Sequence, residues 1–399
     1  MRIAYFSPLP PQMTGVADYS AKLLPHLARL VDVVAFTEGA DEVVPDLRRQ
    51  FSVRDLDGFA GPLRERFDMC LYQMGNNINF HEGVYATLLR YPGVTTLHDI
   101  NLHSFFGELL MKRGQVAAYT REMAYAYGSA GAHHARQAHS GLTSYNIGRY
   151  PLFERVGCVS LGVIVHSRYA QRVVSASCPN TPVGYINQPV PTDSGAIVSE
   201  EDVKEAKSRL DVEPDELLLA SFGYIAPSKR VDVMFRALAQ IRVRYPSVRY
   251  ALVGKVIEGY DLSSLLADLN LDQAVRFVGY ADDVTFRTYL RAVDIGVNLR
   301  YPTSGETSAT LLALMAAGKP TLVSNVDAFA ELPETACVKI DVGAGEQDQI
   351  EAMLLALIED QELRRRIGAN AVDYVRRECD PQGGAANYIR FVQRVLDRV

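Results

Sequence analysis

The chain has 399 residues, of which 48% are apolar, and its formal net charge is −6. This length and apolar content suit two domains of ordinary size, each with its own core, and exclude a globally disordered chain. The net negative charge argues against a protein that binds nucleic acid. The five cysteines are scattered without a C-x-x-C pair, which argues against a zinc site or a disulfide framework.

The N-terminal residues indicate the compartment in which the protein works. The sequence MRIAYFSP enters a strand-like run directly and lacks the features of a signal peptide. No apolar run in the sequence reaches the length needed to span a membrane. We therefore expect a reduced, cytoplasmic setting, in which any membrane contact is peripheral and lies at the inner membrane face.

The first half of the chain alternates strand-like and helical patterns. We predict strands at 2–6, 31–36, 69–73, 94–97, 162–166 and 185–187. We predict helices at 16–30, 80–90 and 168–176. The alternation breaks at 100–150, where small residues, histidines and tyrosines predict two or three inserted helices. Two roles for this insertion stay open, shaping an acceptor site or contacting a membrane surface.

The second half starts the same alternation again. Strands are predicted at 217–222, 248–253, 274–278, 295–299, 321–323 and 338–340. Helices are predicted at 230–244, 347–359 and 363–377, with a tail helix at 384–399. Turn-forming residues at 189–199 predict the linker. We therefore predict an α/β fold with Rossmann-like, doubly wound parallel-sheet domains at 1–190 and 191–383, the tail helix packing back on the first.

The stretch 293–325 is the most informative part of the second half. A buried strand leads into a polar loop at 300–307, and a helix capped by Thr307 or Ser308 follows. Such a loop lies at the carboxyl end of a strand, where open parallel sheets bind ligands. The unpaired amides of the first helical turn favour phosphates or sugar hydroxyls. The alternative is simple capping chemistry, with Glu306 turned back onto free amides.

A second candidate site is the loop that runs from Gly223 to Lys229 and Arg230. It places two cations at the start of a helix, where they oppose the helix dipole and cost stability. A diphosphate ligand would offset that cost, since a hydrogen bond to a charged group contributes about 1.5–3 kcal/mol. The alternative is a solvated pair of side chains.

A third candidate is the dipeptide His98-Asp99 at the end of a strand. His98 is suited to contact a sugar or to move a proton. Alternatively, Asp99 caps a helix that starts near Ile100, and His98 only packs. All eight histidines lie in the first 166 residues, but their spacing fits no common set of metal ligands, so we expect no metal site.

Five further residues are candidates for the same sites. Gly15, at the turn into the first helix, lets a ligand approach the backbone closely. Asn77 follows a strand end, and Asp18 and Tyr19 lie one turn into the first helix. Glu331 is placed to bond a ribose hydroxyl. For each of them an ordinary turn, cap or packing role is the alternative.

Taken together, these motifs resemble the retaining glycosyltransferase family 4, which has the GT-B fold of two Rossmann-like domains that face a central cleft. The resemblance covers nearly the whole chain. It is carried by the segments SPLPPQMTGVADYSAKLLPHL, TTLHDI, FGYIAPSKRVDVMFRAL, YALVGK and VRFVGYADD, together with 293–325.

The sequence also departs from the pattern of that family. The arginine of the family's phosphate segment falls on Tyr224. The two glutamates of its E-x7-E segment fall on Gly305 and Ala313, and Glu306 is one place off. The loop L-R-Y-P-T-S-G-E-T-S therefore resembles a variant branch, often associated with bacterial polysaccharide or glycoside biosynthesis.

The resemblance implies transfer of a hexose from a nucleotide-diphosphate sugar to a saccharide, lipid-linked or small-molecule acceptor, with retention of configuration and without cofactor or metal. Catalytic roles fall on His98, Lys229 and Glu306. The donor-binding residues are Gly15, Gly223, Tyr224, Lys229, Arg230, Arg300, Gly305, Glu306, Thr307, Ser308 and Glu331. The acceptor-side residues are Asp18, Tyr19, Asn77, His98 and Asp99. An epimerase or phosphorylase on this fold, or a sugar-nucleotide-binding protein without activity, stays an alternative, and the oligomeric state stays open.

Overall fold

The computed structural model describes residues 1–146, 148–190 and 199–398. Most of the predicted linker, residues 191–198, lies outside this part of the chain. The helix and strand patterns read from the sequence recur with small shifts at their ends, as the bounds below show.

The chain forms two compact units. The first comprises Met1–Pro189, Ser304–Thr307 and Pro381–Val399, and the second comprises Val190–Thr303 and Ser308–Asp380. The tail of the chain therefore belongs to the first unit, together with four residues of the loop that precedes the helix of 293–325.

The first unit is built on a parallel sheet of seven strands. In chain order these are β1 (Arg2–Phe6), β2 (Asp32–Thr37), β3 (Ser52–Asp55), β4 (Met69–Met74), β5 (Val94–Leu97), β6 (Gly162–Val165) and β7 (Val183–Tyr185). Their spatial order is β3-β2-β1-β4-β5-β6-β7. The order of connection reverses between β1 and β4, which makes that pair the switch point of the sheet.

The second unit is built on a parallel sheet of six strands. They are β8 (Leu217–Phe222), β9 (Val248–Val253), β10 (Val275–Phe277), β11 (Ile295–Asn298), β12 (Thr321–Ser324) and β13 (Val338–Ile340). Their order is β10-β9-β8-β11-β12-β13, so the switch point lies between β8 and β11. The predicted fold class, two Rossmann-like parallel-sheet domains, is confirmed.

Helices cover both faces of each sheet. In the first unit they are α1 (Gly15–Ala28), α2 (Pro45–Gln50), α3 (Gly61–Arg64), α4 (Ile78–Arg90), α5 (His103–Phe106), α6 (Val116–His139), α7 (Glu154–Val159) and α8 (Arg168–Ser177). In the second unit they are α9 (Glu200–Arg209), α10 (Val231–Arg244), α11 (Ser263–Asp268), α12 (Asp283–Ala292), α13 (Ala309–Ala316), α14 (Glu346–Glu359) and α15 (Gln361–Glu378). The last helix, α16 (Pro381–Leu396), returns to the first unit.

The central strands are buried on both faces, as expected of parallel sheets covered by helices. In the first unit, alternate residues of β1 enter two different cores, Tyr5 on the side of α1 and α16, and Phe6 on the other. Gly162 and Gly184 leave room for Phe391 of α16, since a Cβ at either glycine would lie within 3.1 Å of its ring. Close packing of α16 therefore depends on glycine in β6 and β7.

The insertion between β5 and β6 differs in detail from the prediction. Two or three helices were predicted over 100–150, and the apolar spacing over 105–126 is that of one helix, but α5 passes into a wide π-helical turn at Gly107–Met111, and the chain then breaks before α6. Gly114, with a φ of +71°, occupies the break. A left-handed glycine ends a helix readily, and the apolar spacing on either side concealed this interruption. A second interruption lies inside α6, where Gly128 has a φ of +62°.

Candidate functional site

The second unit brings two predicted loops together at its switch point. One follows β8 and begins with Gly223, whose φ is +86°, and the other follows β11 and begins with Leu299 and Arg300. The backbone N–H of Tyr301 donates to the carbonyl oxygen of Ser228 at 2.7 Å, which joins the two loops. Because β8 and β11 are neighbours, both loops lie at the carboxyl edge where such sheets bind ligands.

Lys229 lies at the inner side of the first of these loops. It ends a short 3₁₀ turn, Pro227–Lys229, and is 7% exposed. Its ammonium donates to the carbonyl oxygen of Phe222 at the end of β8, and Nζ lies 3.6 Å from where a Cβ on Gly223 would stand. Tyr224, in contrast, is 68% exposed. A buried cation is thereby held against the backbone of the loop.

Arg230 has a partner that the sequence did not reveal. The residue adopts a left-handed conformation, with a φ of +56°. Its guanidinium donates from Nε and Nη2 to both carboxylate oxygens of Glu346, at 3.1 and 2.5 Å. The salt bridge raises the pKa of Arg230. The cost of a cation beside the start of α10 is therefore offset inside the protein, without a ligand.

The remaining donor candidates of this unit lie after β11 and β12. The backbone N–H of Arg300 donates to Ser324 Oγ at 2.8 Å, and its guanidinium stands 5.9 Å from the centre of the Phe329 ring. Glu331 ends a 3₁₀ turn, Phe329–Glu331, and is exposed.

Ser308 is the cap of α13. Its hydroxyl accepts from the backbone N–H of Leu311 at 3.2 Å and donates to Asn298 Oδ1 at 3.0 Å. The sequence predicted Thr307 or Ser308 as the cap, and Ser308 is the residue that caps the helix. The amides of Ala309 and Thr310, ahead of Leu311, form the positive end of this helix.

The segment 304–307 is fixed within the first unit. Its carbonyl at Ser304 accepts from the backbone N–H groups of Ile100 and Asn101, both at 3.2 Å. Glu306 Oε2 accepts from the N–H of Ser304 at 2.6 Å, so the carboxylate folds onto its own loop. Gly305 has a φ of +70°, and a Cβ there would stand 2.2 Å from Ile100 Cγ1.

Thr307 completes this segment. Its hydroxyl donates to the carbonyl oxygen of His166 at 3.2 Å. The alternative considered from the sequence, capping chemistry that involves Thr303 and Glu306, does not start a helix here, since α13 begins only at Ala309. The Thr303 hydroxyl donates instead to the Asp327 carboxylate.

On the first unit, the residues of the first loop and helix divide by burial. Gly15 is the first residue of α1, and nothing lies within 4 Å of a Cβ placed on it. Asp18 is exposed on the same turn. Tyr19 is buried at 4% exposure, and its hydroxyl lies 2.6 Å from that of Tyr388 on α16. Asn77 is the cap of α4 and accepts from the N–H of Asn79 at 3.0 Å.

His98 stands directly after β5 among other aromatic rings. Its ring centre lies 4.6 Å from that of Tyr19 and 5.2 Å from that of His166. Burial, with smaller contributions from His166 and His81, holds the pKa of His98 well below its ordinary value. Burial also lowers the pKa of His166 and of His81 to about 4. These three imidazoles are therefore neutral at neutral pH.

Asp99 does not cap a helix, contrary to the alternative considered from the sequence. The next helix, α5, begins at His103, and its first turn is bonded by Asn101, whose Oδ1 accepts from the N–H of His103 at 3.1 Å. Asp99 Oδ2 accepts instead from the N–H of Asn76 at 3.3 Å. The two strand-end loops after β4 and β5 are thereby tied together.

Sequence reasoning missed Gln73. It lies in the otherwise apolar strand β4, is fully buried, and its Oε1 lies 2.9 Å from His98 Nε2. A polar residue inside a buried strand needs a partner, and that was the signal available in the sequence MCLYQM.

Two further features concern metal ions and membranes. In the part of the chain that the structure describes, no three His, Cys, Asp or Glu residues come together in a way that would hold a metal ion. Over the same residues, no helix has both the length and the apolar character needed to cross a bilayer.

Comparison with known proteins finds a family model that is similar to most of the second unit. Residues 202–373 match the family model described as "Glycosyl transferases group 1". This part of the second unit is therefore similar to a glycosyltransferase group 1 domain. The match spans the switch point, Lys229 and the start of α13.

Curated relatives match over less than half of their length. A phosphatidyl-myo-inositol mannosyltransferase of Mycolicibacterium smegmatis is 30% identical over 155 residues, which is 39% of either chain. A D-inositol 3-phosphate glycosyltransferase 2 of Catenulispora acidiphila is 27% identical over 185 residues, 44% of this chain and 43% of its own. The present chain thus spans about two fifths of the length of these relatives.

Solved structures match over the whole chain. Anabaena Alr3699/HepE in complex with UDP and glucose has a TM-score of 0.68 at 17% identity, covering 99% of this chain and 100% of its own. The sucrose-phosphate synthase tll1590 of Thermosynechococcus elongatus has a TM-score of 0.71 at 17% identity, covering 100% of both chains. At this identity the likeness shows the fold, which is the GT-B fold.

Proposed function

We propose that this protein is a hexosyltransferase that moves a sugar from a nucleotide-diphosphate sugar to a hydroxyl acceptor, with retention of configuration. One observation carries the proposal: the group 1 domain has its buried lysine, Lys229, at the switch point of a parallel sheet. A relative of the same fold has been crystallised with UDP and glucose, which supports a nucleotide-sugar donor. Polysaccharide or glycoside biosynthesis is the setting that the sequence resemblance suggests.

The donor diphosphate has a binding surface of suitable chemistry at the carboxyl edge of the second sheet. Lys229 supplies a positive charge held at a fixed position, and the amides at the start of α13, after Ser308, supply partial positive charge. Charge on the departing diphosphate grows as the glycosidic bond breaks, and groups already oriented toward it stabilise the transition state. These groups would do the work that a metal ion does elsewhere.

The other residues are assigned roles by their chemistry. Glu306, an ionisable acceptor that bonds its own loop, is proposed to hold the transferred sugar. His98 is proposed to contact a substrate hydroxyl, and because it is neutral it does so as a hydrogen-bond partner rather than as an acid. Asp18, Asn77 and Asp99 are proposed for the acceptor side.

The test combines a binding screen with a transfer assay. Thermal unfolding is measured with UDP-, GDP-, ADP- and dTDP-sugars, because a ligand that binds the native state raises its stability. The nucleotide sugar that raises the melting temperature is then offered with saccharide and small-molecule acceptors, and products are followed by mass spectrometry. We expect transfer with one class of nucleotide sugar.

Two lysine variants give the test its control. Lys229→Met removes the charge at nearly constant volume and should lower kcat/KM by about 10- to 150-fold, the equivalent of one charge-assisted hydrogen bond. Lys204→Met removes an exposed lysine of α9 and should leave kcat/KM unchanged. A wild-type rate for Lys229→Met with every donor would refute the role of this lysine. Donor conversion without any acceptor would favour an epimerase, and binding without turnover would favour a sensor.

A further inference from the structure

We propose that Gln73 is a positioning residue, which holds His98 in the tautomer that carries its proton on Nε2 and leaves Nδ1 free to accept a hydrogen bond from a substrate hydroxyl. This inference rests on the proposed function for the substrate contact. The tautomer itself can be tested without it.

The contact begins with the register of two neighbouring strands. Gln73 of β4 lies opposite Thr96 of β5, and both residues are fully buried. Residues opposite each other in a sheet project from the same face. Gln73 Nε2 donates to Thr96 Oγ1 at 3.2 Å. In this orientation of the amide the Thr96 hydroxyl receives the NH₂ group, and the carbonyl oxygen Oε1 faces His98.

The oriented amide then selects the tautomer of the imidazole. Gln73 Oε1 has lone pairs and no proton, so the 2.9 Å contact with His98 Nε2 is a hydrogen bond only if Nε2 carries hydrogen. His98 is neutral, as its surroundings require. A neutral imidazole with hydrogen on Nε2 has an unprotonated Nδ1, which is an acceptor.

The amide is itself fixed by a longer polar chain, made of Tyr19, Tyr388, Thr96, Gln73 and His98. Thr96 Oγ1 lies 3.1 Å from the Tyr388 hydroxyl, and that hydroxyl lies 2.6 Å from the Tyr19 hydroxyl. These residues come from α1, α16, β4, β5 and the turn after β5. Buried polar groups joined in this way hold one another in single orientations. A rotation of the Gln73 amide would require the Thr96 hydroxyl and His98 to exchange their donor and acceptor roles.

Positioning of this kind matters because the two tautomers present opposite chemistry to a substrate. With hydrogen on Nε2, His98 offers Nδ1 as an acceptor for a hydroxyl proton. With hydrogen on Nδ1, His98 would offer a donor there, and the substrate hydroxyl would have to accept a hydrogen bond instead of donating one. Groups that select the tautomer of a histidine therefore tune its function without touching the substrate.

The first experiment reads the tautomer directly. The full-length protein is labelled with ¹⁵N in its histidines, and the signal of His98 is identified by its loss in His98→Gln. In the wild type we expect chemical shifts of a protonated Nε2 and an unprotonated Nδ1. In Gln73→Leu we expect a mixture of both tautomers. A wild-type signal with hydrogen on Nδ1, or an unchanged single tautomer in Gln73→Leu, would overturn the proposal.

A matched pair of threonine variants separates positioning from loss of packing. Thr96→Val removes the hydroxyl that orients the Gln73 amide. Thr95→Val removes the neighbouring buried hydroxyl, which bonds Ser160 on the other face of the sheet. Both changes keep the side-chain shape, so both variants should fold. Only Thr96→Val should mix the His98 tautomers, and the same effect in Thr95→Val would contradict the proposal.

Activity provides the second readout. Gln73→Leu and Thr96→Val should lower kcat/KM by about 3- to 10-fold, the value of one net hydrogen bond, and Thr95→Val should not. Gln73→Glu keeps an acceptor for Nε2–H and should restore the tautomer. If the wild type turns over no nucleotide sugar, the proposed function fails, whereas the NMR result still decides the role of Gln73.

The Gln73→Glu variant also makes a prediction about pH. The carboxylate stabilises an imidazolium, so the pKa of His98 should rise and the acidic limb of the rate profile should move to higher pH. An unchanged acidic limb would show that residue 73 does not contact His98 in solution, which contradicts the proposal. The titratable groups around His98 are His166, His81, Tyr19, Asp99 in the chain next to it, and Tyr388 behind Tyr19.

Discussion

The salt bridge between Arg230 and Glu346 offers a quantitative test of how the second unit is held together. Glu346 is only 2% exposed, while a quarter of the Arg230 side chain remains accessible. Arg230→Ala leaves a buried carboxylate without this partner, a change that costs about 3–5 kcal/mol in buried pairs. Glu346 is also the first residue of α14. The interaction of its carboxylate with the helix dipole offsets up to about 1 kcal/mol of that cost. We therefore expect a net loss of about 2–4 kcal/mol.

The reverse substitution should cost less. In Glu346→Gln the arginine loses its carboxylate, but its accessible guanidinium can turn to water, so we expect a loss of about 1–2 kcal/mol. The double variant should lose less than the sum of the two, with a coupling energy of about 1–3 kcal/mol. Alanine has a Cβ, as arginine does, so the left-handed backbone of residue 230 costs the same in the wild type and in Arg230→Ala. It therefore does not contribute to the difference in stability.

The unfolding measurement has to allow for the two compact units of the chain. Denaturant unfolding of a chain with two units need not be a two-state process. Hydrogen exchange of α10 and α14 therefore accompanies it, since local opening of these helices reports the pair directly. Additive losses in the double variant, or unchanged exchange in α10 and α14, would refute the reasoning.

The same variants test whether Arg230 also contacts the donor, as the sequence predicts. A donor contact requires that Arg230→Ala weaken donor binding while Glu346→Gln leaves it intact. We expect donor affinity to change less than about threefold in both variants at temperatures where they are folded, because the guanidinium already has a carboxylate partner.

Two further predictions concern pH and a loop glycine. The pKa values of His81 and His166 are about 4 in the folded protein, against 6.5 ordinarily, so the unfolded chain takes up protons first as the pH falls. The free energy of unfolding should therefore decrease between pH 6.5 and pH 4, by about 3 kcal/mol for each histidine, and unfolding midpoints that stay constant over that range would contradict this. Gly305→Ala should lower the melting temperature more than Gly345→Ala. Both glycines have positive φ, but only at Gly305 would a Cβ meet Ile100, and equal losses would show that the loop can move aside.

The sequence predicted the elements of the fold well because parallel sheets covered by helices have a repetitive pattern. Apolar runs of four to six residues alternate with amphipathic helices, and each pattern is local. The ends of elements moved by a few residues, as where α16 starts at Pro381 instead of 384. Proline fits the first turn of a helix, and the prediction omitted this turn because it precedes the apolar positions.

Partners distant in the chain were not predictable in the same way. Arg230 meets Glu346 across 116 residues, and Tyr19 meets Tyr388 across 369. Neither pair has a local signature, since one sequence shows only that a charge or hydroxyl exists and not what it faces. Gln73 could have been noticed, because a polar side chain in a buried strand demands a partner.

The positions of the candidate residues follow from topology rather than from their immediate neighbours in sequence. In each sheet the connection order reverses at one pair of strands, β1 with β4 and β8 with β11. Gly15 and Asn77 come from the loops after the first pair, and Lys229 and Arg300 from those after the second. At such a reversal the two following helices lie on opposite faces of the sheet, so the strand ends between them stay uncovered. The strand order of each sheet therefore favours a ligand site at these strand ends, whatever the side chains are. The side chains at the strand ends then determine which ligand fits.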